Sequence, residues 1–205
     1  MSRSGQRGVS LIELMIVITI TAILVMLGIP SFQQWMLNTR IRSVTESIQN
    51  GLRLARNEAS QRSADVRFQL NSSSNWQVCT LPVSAASAAA ANDCSSASST
   101  VLQTFNSPGS ASNVQVGATT ATSNVATSAY SGIISGGIPA GITFTSLGRP
   151  SDYGNTSILR IDVTAAEASM QATSRRLVTI ISVGGMVNMC DPAFTLSANS
   201  PQGCP

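Results

Sequence analysis

The chain has 205 residues, 12 basic and 9 acidic, a formal net charge of +3, and only 10% of its residues are charged. Every base is an arginine, while lysine and histidine are absent. An imidazole general base is therefore excluded, a zinc site is disfavoured, and so small a net charge lends no support to a sequence-blind grip on nucleic acid, which needs several phosphates neutralised.

At the amino end, Gly8-Val9-Ser10-Leu11-Ile12-Glu13 joins a short leader bearing Arg3 and Arg7 to an apolar run. Val9 to Ile29 is 21 residues, against about 20 needed to cross a hydrocarbon core. Glu13 is a lone carboxylate in that run. An ionised group there costs at least a few kcal/mol unless something pairs with it, so it is a functional candidate by default. Arg3 and Arg7 hold the amino end in the cytoplasm and send the rest of the chain across the membrane. Gly28 and Pro30 follow, and the proline kinks or loosens a helix rather than stopping it if the pattern resumes beyond. It does resume: Ile41, Val44, Ile48, Leu52, Ala55 and Ala59 recur at steps of three and four, while Arg40, Arg42, Glu46, Arg53, Arg56 and Glu58 mostly take other faces. One helix from about Leu11 to Ser60 is expected, with its amphipathic second half packed on a globular domain.

Beyond the helix the pattern shortens. Ala64 to Leu70, Trp76 to Leu81, Val101 to Phe105, Ile142 to Leu147, Ile158 to Val163 and Leu177 to Val183 have strand composition and are bounded by turn residues. Ser84 to Thr100 and Gly117 to Gly137 are rich in Ala, Ser, Thr and Gly and read as extended or mobile loops, the second with room for one weak strand near Ile133. The fold class expected is α+β, a long helix against one antiparallel sheet or two small ones.

Basic leader, glycine and apolar run in direct succession resemble the class III signal of type IV pilins and type II secretion pseudopilins. The resemblance implies cleavage by a prepilin peptidase between Gly8 and Val9, methylation of the new Val9 amine, and a type IV pilin fold. Val9 stands where phenylalanine is usual. A mature terminal ammonium gives Glu13 a partner, since only a register that pairs it with a neighbour's amine spares the carboxylate an unpaired burial. Leu54-Ala55-Arg56-Asn57-Glu58-Ala59, Arg62 and Val66-Arg67-Phe68 are similar to the FimT, FimU and GspH group of minor pilins and pseudopilins. Further echoes are Ile142-Thr143-Phe144 with Gly148-Arg149, and Val178 to Val183 leading to Met189-Cys190-Asp191-Pro192. Arg56 and Glu58 are either a salt-bridged surface or a subunit contact.

The domain division expected is a leader at 1–8, a membrane and fibre-core helix at 9–30, an amphipathic helix at 31–62 and a β-rich domain at 63–205. The four cysteines allow three connectivities. Short loops and an oxidising exported location favour Cys79 with Cys94 and Cys190 with Cys204. No cofactor is expected. Asp152-Tyr153-Gly154-Asn155 reads as a turn ahead of a calcium site, and Asp152, Asp162, Glu167 and Asp191 form no catalytic motif, so the chain is not expected to be an enzyme.

The function implied is that of a minor pilin that primes or joins type IV pilus assembly at the fibre tip, supporting pilus biogenesis and twitching motility. Its implied partners are other minor pilins, the major pilin, the prepilin peptidase, the inner-membrane assembly platform and membrane lipid. The implied location is the inner membrane, with the globular domain periplasmic, then the fibre. Two rivals stand beside it. One is a type II secretion pseudopilin, which shares leader and Glu13; the tail from Cys190 to Cys204 resembles a pilin D-loop and favours the pilus. The other is a DNA receptor. The branch's Gly-Arg-x-Arg element would fall at Gly185-Met186-Val187-Asn188, where both arginines are missing, which leaves Arg175, Arg176 and Arg149 as weak phosphate contacts.

Overall fold

A computed structural model describes residues 10–72, 74–82, 93–95, 99–107, 113–125 and 129–205. The Gly8 and Val9 junction and most of the stretch from Ser84 to Ser98 lie outside the described residues. The chain falls into two compact units, up to Met36 and from Leu37 to Pro205.

Helix α1 spans Leu11–Arg62. In the first unit its apolar side chains from Leu11 to Ile29 are all exposed. In the second unit Leu37, Ile41, Val44, Ile48, Leu52, Ala55 and Ala59 are buried, the face that the three- and four-residue steps require. The helix ends at Ser63, whose φ of 50° turns the chain into the left-handed region, and the Ala64 amide then bonds the Ala59 carbonyl at 3.3 Å. Gly51 is required by a close approach. A Cβ there would sit 2.8 Å from the Phe68 ring and 3.0 Å from Trp76, so only glycine lets the helix lie this near the strands.

The strands are β1 (Val66–Leu70), β2 (Trp76–Thr80), β3 (Thr100–Phe105), β4 (Val114–Thr119), β5 (Ala140–Phe144), β6 (Arg160–Ala165), β7 (Leu177–Ile181), β8 (Val187–Thr195) and β9 (Gly203–Cys204), with a one-turn helix α2 at Ala168–Gln171. They form two sheets, ordered β3-β2-β1-β5 and β4-β6-β7-β8-β9. All pairings are antiparallel except β8 with β9. Period-two alternation sends Val66, Phe68 and Leu70 from the first sheet, and Val116, Ile161, Val163 and Ile181 from the second, into one core with α1. The α+β expectation of a long helix on antiparallel strands is met, with one parallel pair added.

Several boundaries differ from the sequence reading. β5 stops at Phe144 because Thr145 to Gly148 turns back, the Gly148 amide bonding the Thr145 carbonyl at 2.7 Å with a Gly148 φ of 69°. β7 stops at Ile181 for the same reason, since the Gly185 amide closes on the Ser182 carbonyl at 2.8 Å. β4, β8 and β9 were not anticipated: β4 runs into Gly117-Ala118-Thr119, and β8 contains Asn188, Asp191 and Pro192.

The largest correction concerns Gly117 to Gly137. Gly117 and Ala118 are buried in β4, and 3-10 turns form at Thr122–Val125 and Ala129–Ser131. No strand forms near Ile133. Instead the Ile134 carbonyl lies against Gly117, where a Cβ would come within 2.2 Å of it, and the Ala118 amide bonds the Gly136 carbonyl at 2.8 Å. The described part of this stretch is an outer layer on the second sheet.

Candidate functional site

Glu13 stands in the first turn of α1, on an exposed stretch otherwise made of Leu, Ile, Met, Val, Ala, Thr and Gly. The Thr19 and Thr21 hydroxyls bond the carbonyls of Met15 and Val17 at 2.8 and 2.7 Å, so these polar groups are satisfied within the helix. Glu13 has no such internal solution among the described residues. Among those residues, α1 is the one helix long and apolar enough to cross a membrane. Just beyond the run, Phe32 and Trp35 pair with ring centroids 5.9 Å apart, both well exposed.

On the second sheet, Arg160, Asp162 and Thr164 share the face of β6 opposite α1, where the outer layer covers them. Arg160 and Asp162 are fully buried and joined Nε to Oδ1 at 2.6 Å and Nη2 to Oδ2 at 2.8 Å. The guanidinium also donates to the carbonyls of Asn124 at 2.9 Å and Gly132 at 2.7 Å, and sits 5.0 Å from the centre of the Tyr130 ring. Asp162 Oδ2 accepts the Ile134 amide at 3.1 Å. A buried ion pair is tolerated when its remaining donors and acceptors find partners, and here the outer layer's backbone supplies them. The sequence reading set Asp162 aside and overlooked Arg160. The available signal was two opposite charges at i and i+2 in a strand apolar at every other position up to Val163.

Cys79 is bonded to Cys94 and Cys190 to Cys204, with Cα separations of 5.6 and 5.0 Å. The second bridge packs with Tyr130 and Val178 under the outer layer. The first lies beside the half-buried Arg67, whose pKa burial lowers against the opposing pull of Asp93. Asp93 is held below the ordinary carboxylate range, chiefly by hydrogen bonding to Ser95.

Arg175 and Arg176 line one cavity, and each already has a partner within the chain. Arg175 bonds Asp191 at 2.9 Å, and its amide bonds Asn38 Oδ1 at 2.9 Å. Arg176 turns inward to the Tyr130 carbonyl and lies 3.8 Å from Asp162; burial lowers its pKa. A cavity of about 590 Å³ opens beside them, and Asp191 in its wall offsets the charge it would offer a polyanion. Arg149 is exposed on the turn after β5, away from both. Asp152 sits in the expected turn with a φ of 49°. Among the described residues no group of three or more His, Cys, Asp or Glu is placed to hold a metal ion. Of the helix charges, Glu58 pairs with Arg62 at 2.5 Å and Arg56 Nε bonds the Gly148 carbonyl at 3.2 Å.

Two family models match. Residues 3–29 match the prokaryotic N-terminal methylation motif, and residues 44–185 match type II transport protein GspH. No curated relative matches. Among solved structures the chain is similar to two crystal forms of the type IV minor pilin FimU of Pseudomonas aeruginosa. One has TM-score 0.47 and 14% identity over 82% of this chain and 96% of that one. The other has TM-score 0.44 and 14% identity over 80% and 99%. The minor pseudopilin EpsH of Vibrio cholerae aligns with TM-score 0.37 and 11% identity over 74% and 96%. The chain belongs to the family of type II transport protein GspH, with an N-terminal methylation motif and an exposed apolar helix that suit a membrane anchor carrying a globular domain.

Proposed function

We propose that the chain is a minor pilin that joins type IV pilus assembly at the fibre tip, and so supports pilus biogenesis and twitching motility. The observation that carries the reading is Glu13, one carboxylate on a fully exposed apolar helix that continues into a folded domain. Lipid alone gives such a group no partner, whereas a neighbouring subunit's terminal amine does. In this reading the leader is cut after Gly8 on the cytoplasmic side, Val9 is methylated, Phe32 and Trp35 settle at the periplasmic interface of the inner membrane, and the β-rich domain is periplasmic. The apolar helices then pack together in the fibre core. Other minor pilins, the major pilin and the inner-membrane assembly platform are its partners.

The test follows Glu13→Ala in cells. Cleavage and membrane insertion should be unchanged, while co-purification with other fibre subunits falls sharply; normal incorporation would sink the pairing. Because the chain holds no lysine, the terminal α-amine is its one primary amine, and peptide mapping of the mature chain should place it, methylated, at Val9.

The family description as a type II transport protein favours a second reading, a pseudopilin that primes the type II secretion fibre. Deleting the gene separates the two. Loss of surface fibres with secretion intact supports the pilus, and loss of secretion with fibres intact supports the pseudopilus. The DNA-receptor reading is weakened at Arg175, which pairs with Asp191, and at Arg176, which is turned inward, and it keeps the exposed Arg149.

A further inference from the structure

Two turns meet at one end of the globular unit. A Cβ on Gly185 would lie 2.2 Å from the Gly148 carbonyl oxygen and 3.4 Å from the Phe144 ring, so the turn after β5 and the turn between β7 and β8 touch backbone to backbone. Each turn satisfies itself, through Gly148 to Thr145, Gly185 to Ser182, and the Met186 amide to the Ser182 hydroxyl at 3.1 Å. The side chains these turns carry are large and apolar. Leu147 is 80% exposed, Val183 67% and Met186 57%. A single exposed apolar residue is ordinary, but three on adjoining turns mark an interaction surface.

The border is cationic. Arg149 follows Leu147 on the same turn, Arg56 bonds Gly148, and Arg53, one helical turn before Arg56, shares with it a cavity of about 330 Å³ whose wall includes Met186. Glu58, the carboxylate in this stretch of α1, is taken by Arg62. Among the described residues neither Arg53 nor Arg149 has an acidic partner.

We infer that this patch docks another pilin-type subunit, one presenting apolar side chains bordered by Asp or Glu. The apolar centre selects a protein over a polyanion, because nucleic acid would engage the arginines and leave Leu147, Val183 and Met186 in water. The border selects an acidic partner, since an unpaired cationic ring repels a basic one. The inference rests on the assembly reading above and assigns it a surface.

The experiment uses the full chain in cells, with a photoreactive amino acid placed at Leu147, at Met186, or at Glu167, an exposed control at the opposite end of β6. Leu147 and Met186 should crosslink to a pilin-type subunit at a peptide with an acidic residue within a few positions. Arg53→Glu with Arg149→Glu should cut that yield at least tenfold, and reversing the partner's acid to Arg should restore it. Both disulfides must still form in each variant, which separates lost docking from lost folding. A yield no better than at Glu167, indifference to charge reversal, or crosslinks to nucleic acid or lipid overturn the inference alone. A chain never found with fibre subunits overturns the assembly reading and the inference with it.

Discussion

Arg160 and Asp162, two residues apart on β6, are joined by two short hydrogen bonds with no exposure of either side chain, and together they hold backbone groups of residues 124, 132 and 134. The pair is the fastening between the second sheet and its outer layer.

Removing Asp162 leaves Arg160 an uncompensated buried charge, and removing Arg160 leaves Asp162 only the more distant Arg176 at 3.8 Å. Asp162→Asn or Arg160→Met should each destabilise the full chain in detergent by about 3 to 5 kcal/mol, while Arg160→Met with Asp162→Leu should cost less than the two single changes summed. Urea unfolding followed by tryptophan fluorescence measures this, with Trp35→Phe as the common background so that Trp76 alone reports. Single variants within 1 kcal/mol of the parent, a bound well under that estimate, would show that the pair does not fasten the layer.

Gly51→Ala tests the helix approach. Alanine gains about 1 kcal/mol of helix propensity but drives a methyl to within 2.8 Å of Phe68, and overpacking of this kind costs about 1 to 3 kcal/mol. Net destabilisation is expected in the same unfolding assay. A stabilised variant would mean that the rings give way freely.

The bridge between Cys190 and Cys204 closes a short loop, with a sequence separation of 14, and should contribute about 3 kcal/mol. Cys190→Ser with Cys204→Ser is expected to lower the thermal midpoint and to speed protease cleavage between β8 and β9. Mass spectrometry of a nonreduced digest of the parent should recover Cys79 linked to Cys94 and Cys190 linked to Cys204; a cross-pair would redraw the tail.

Asp93 is depressed by its Ser95 hydrogen bonds, so its carboxylate contributes stability above its unfolded pKa of about 3.9, and that contribution is lost as pH falls through the lower folded value. Asp93→Asn should therefore lower the thermal midpoint slightly at pH 7 and by less at pH 3, roughly a unit below the unfolded value, where part of the contribution is already lost. Equal effects at both pH values would assign the loss to packing instead.

What the sequence disclosed and what it hid follow from the range of the interactions. The buried face of α1 was legible because its signal repeats every three or four residues, and β1, β2, β3 and β7 were legible from β-branched and aromatic runs. The apolar run and Glu13 were equally local. β4 was missed because Gly117 and Ala118 have no bulk; their burial is decided by Ile134 and Gly136, far along the chain. The outer layer was misjudged on the same ground, since Ala, Ser, Thr and Gly promise little burial until a guanidinium 28 to 36 residues away collects their carbonyls. The turns bearing Leu147 and Met186 were read partly as strand, since Leu147 continues the apolar composition of β5, whereas the turn closed at Gly148 leaves it on the surface.

β3 is the last strand of its sheet, and its sequence, Thr-Val-Leu-Gln-Thr-Phe, carries no charge and no proline. Among the described residues nothing pairs with its outer row of amides and carbonyls. Natural edges are normally guarded by a lysine, a proline or a bulge; this one has no lysine and no proline, and its guard is a single irregularity at Leu102, between the pairs Val78 with Gln103 and Cys79 with Val101. Two molecules meeting there can therefore extend one sheet into the other. In concentrated preparations sheet-to-sheet self-association should start at this margin, and Gln103→Lys is the change that would keep the protein in solution.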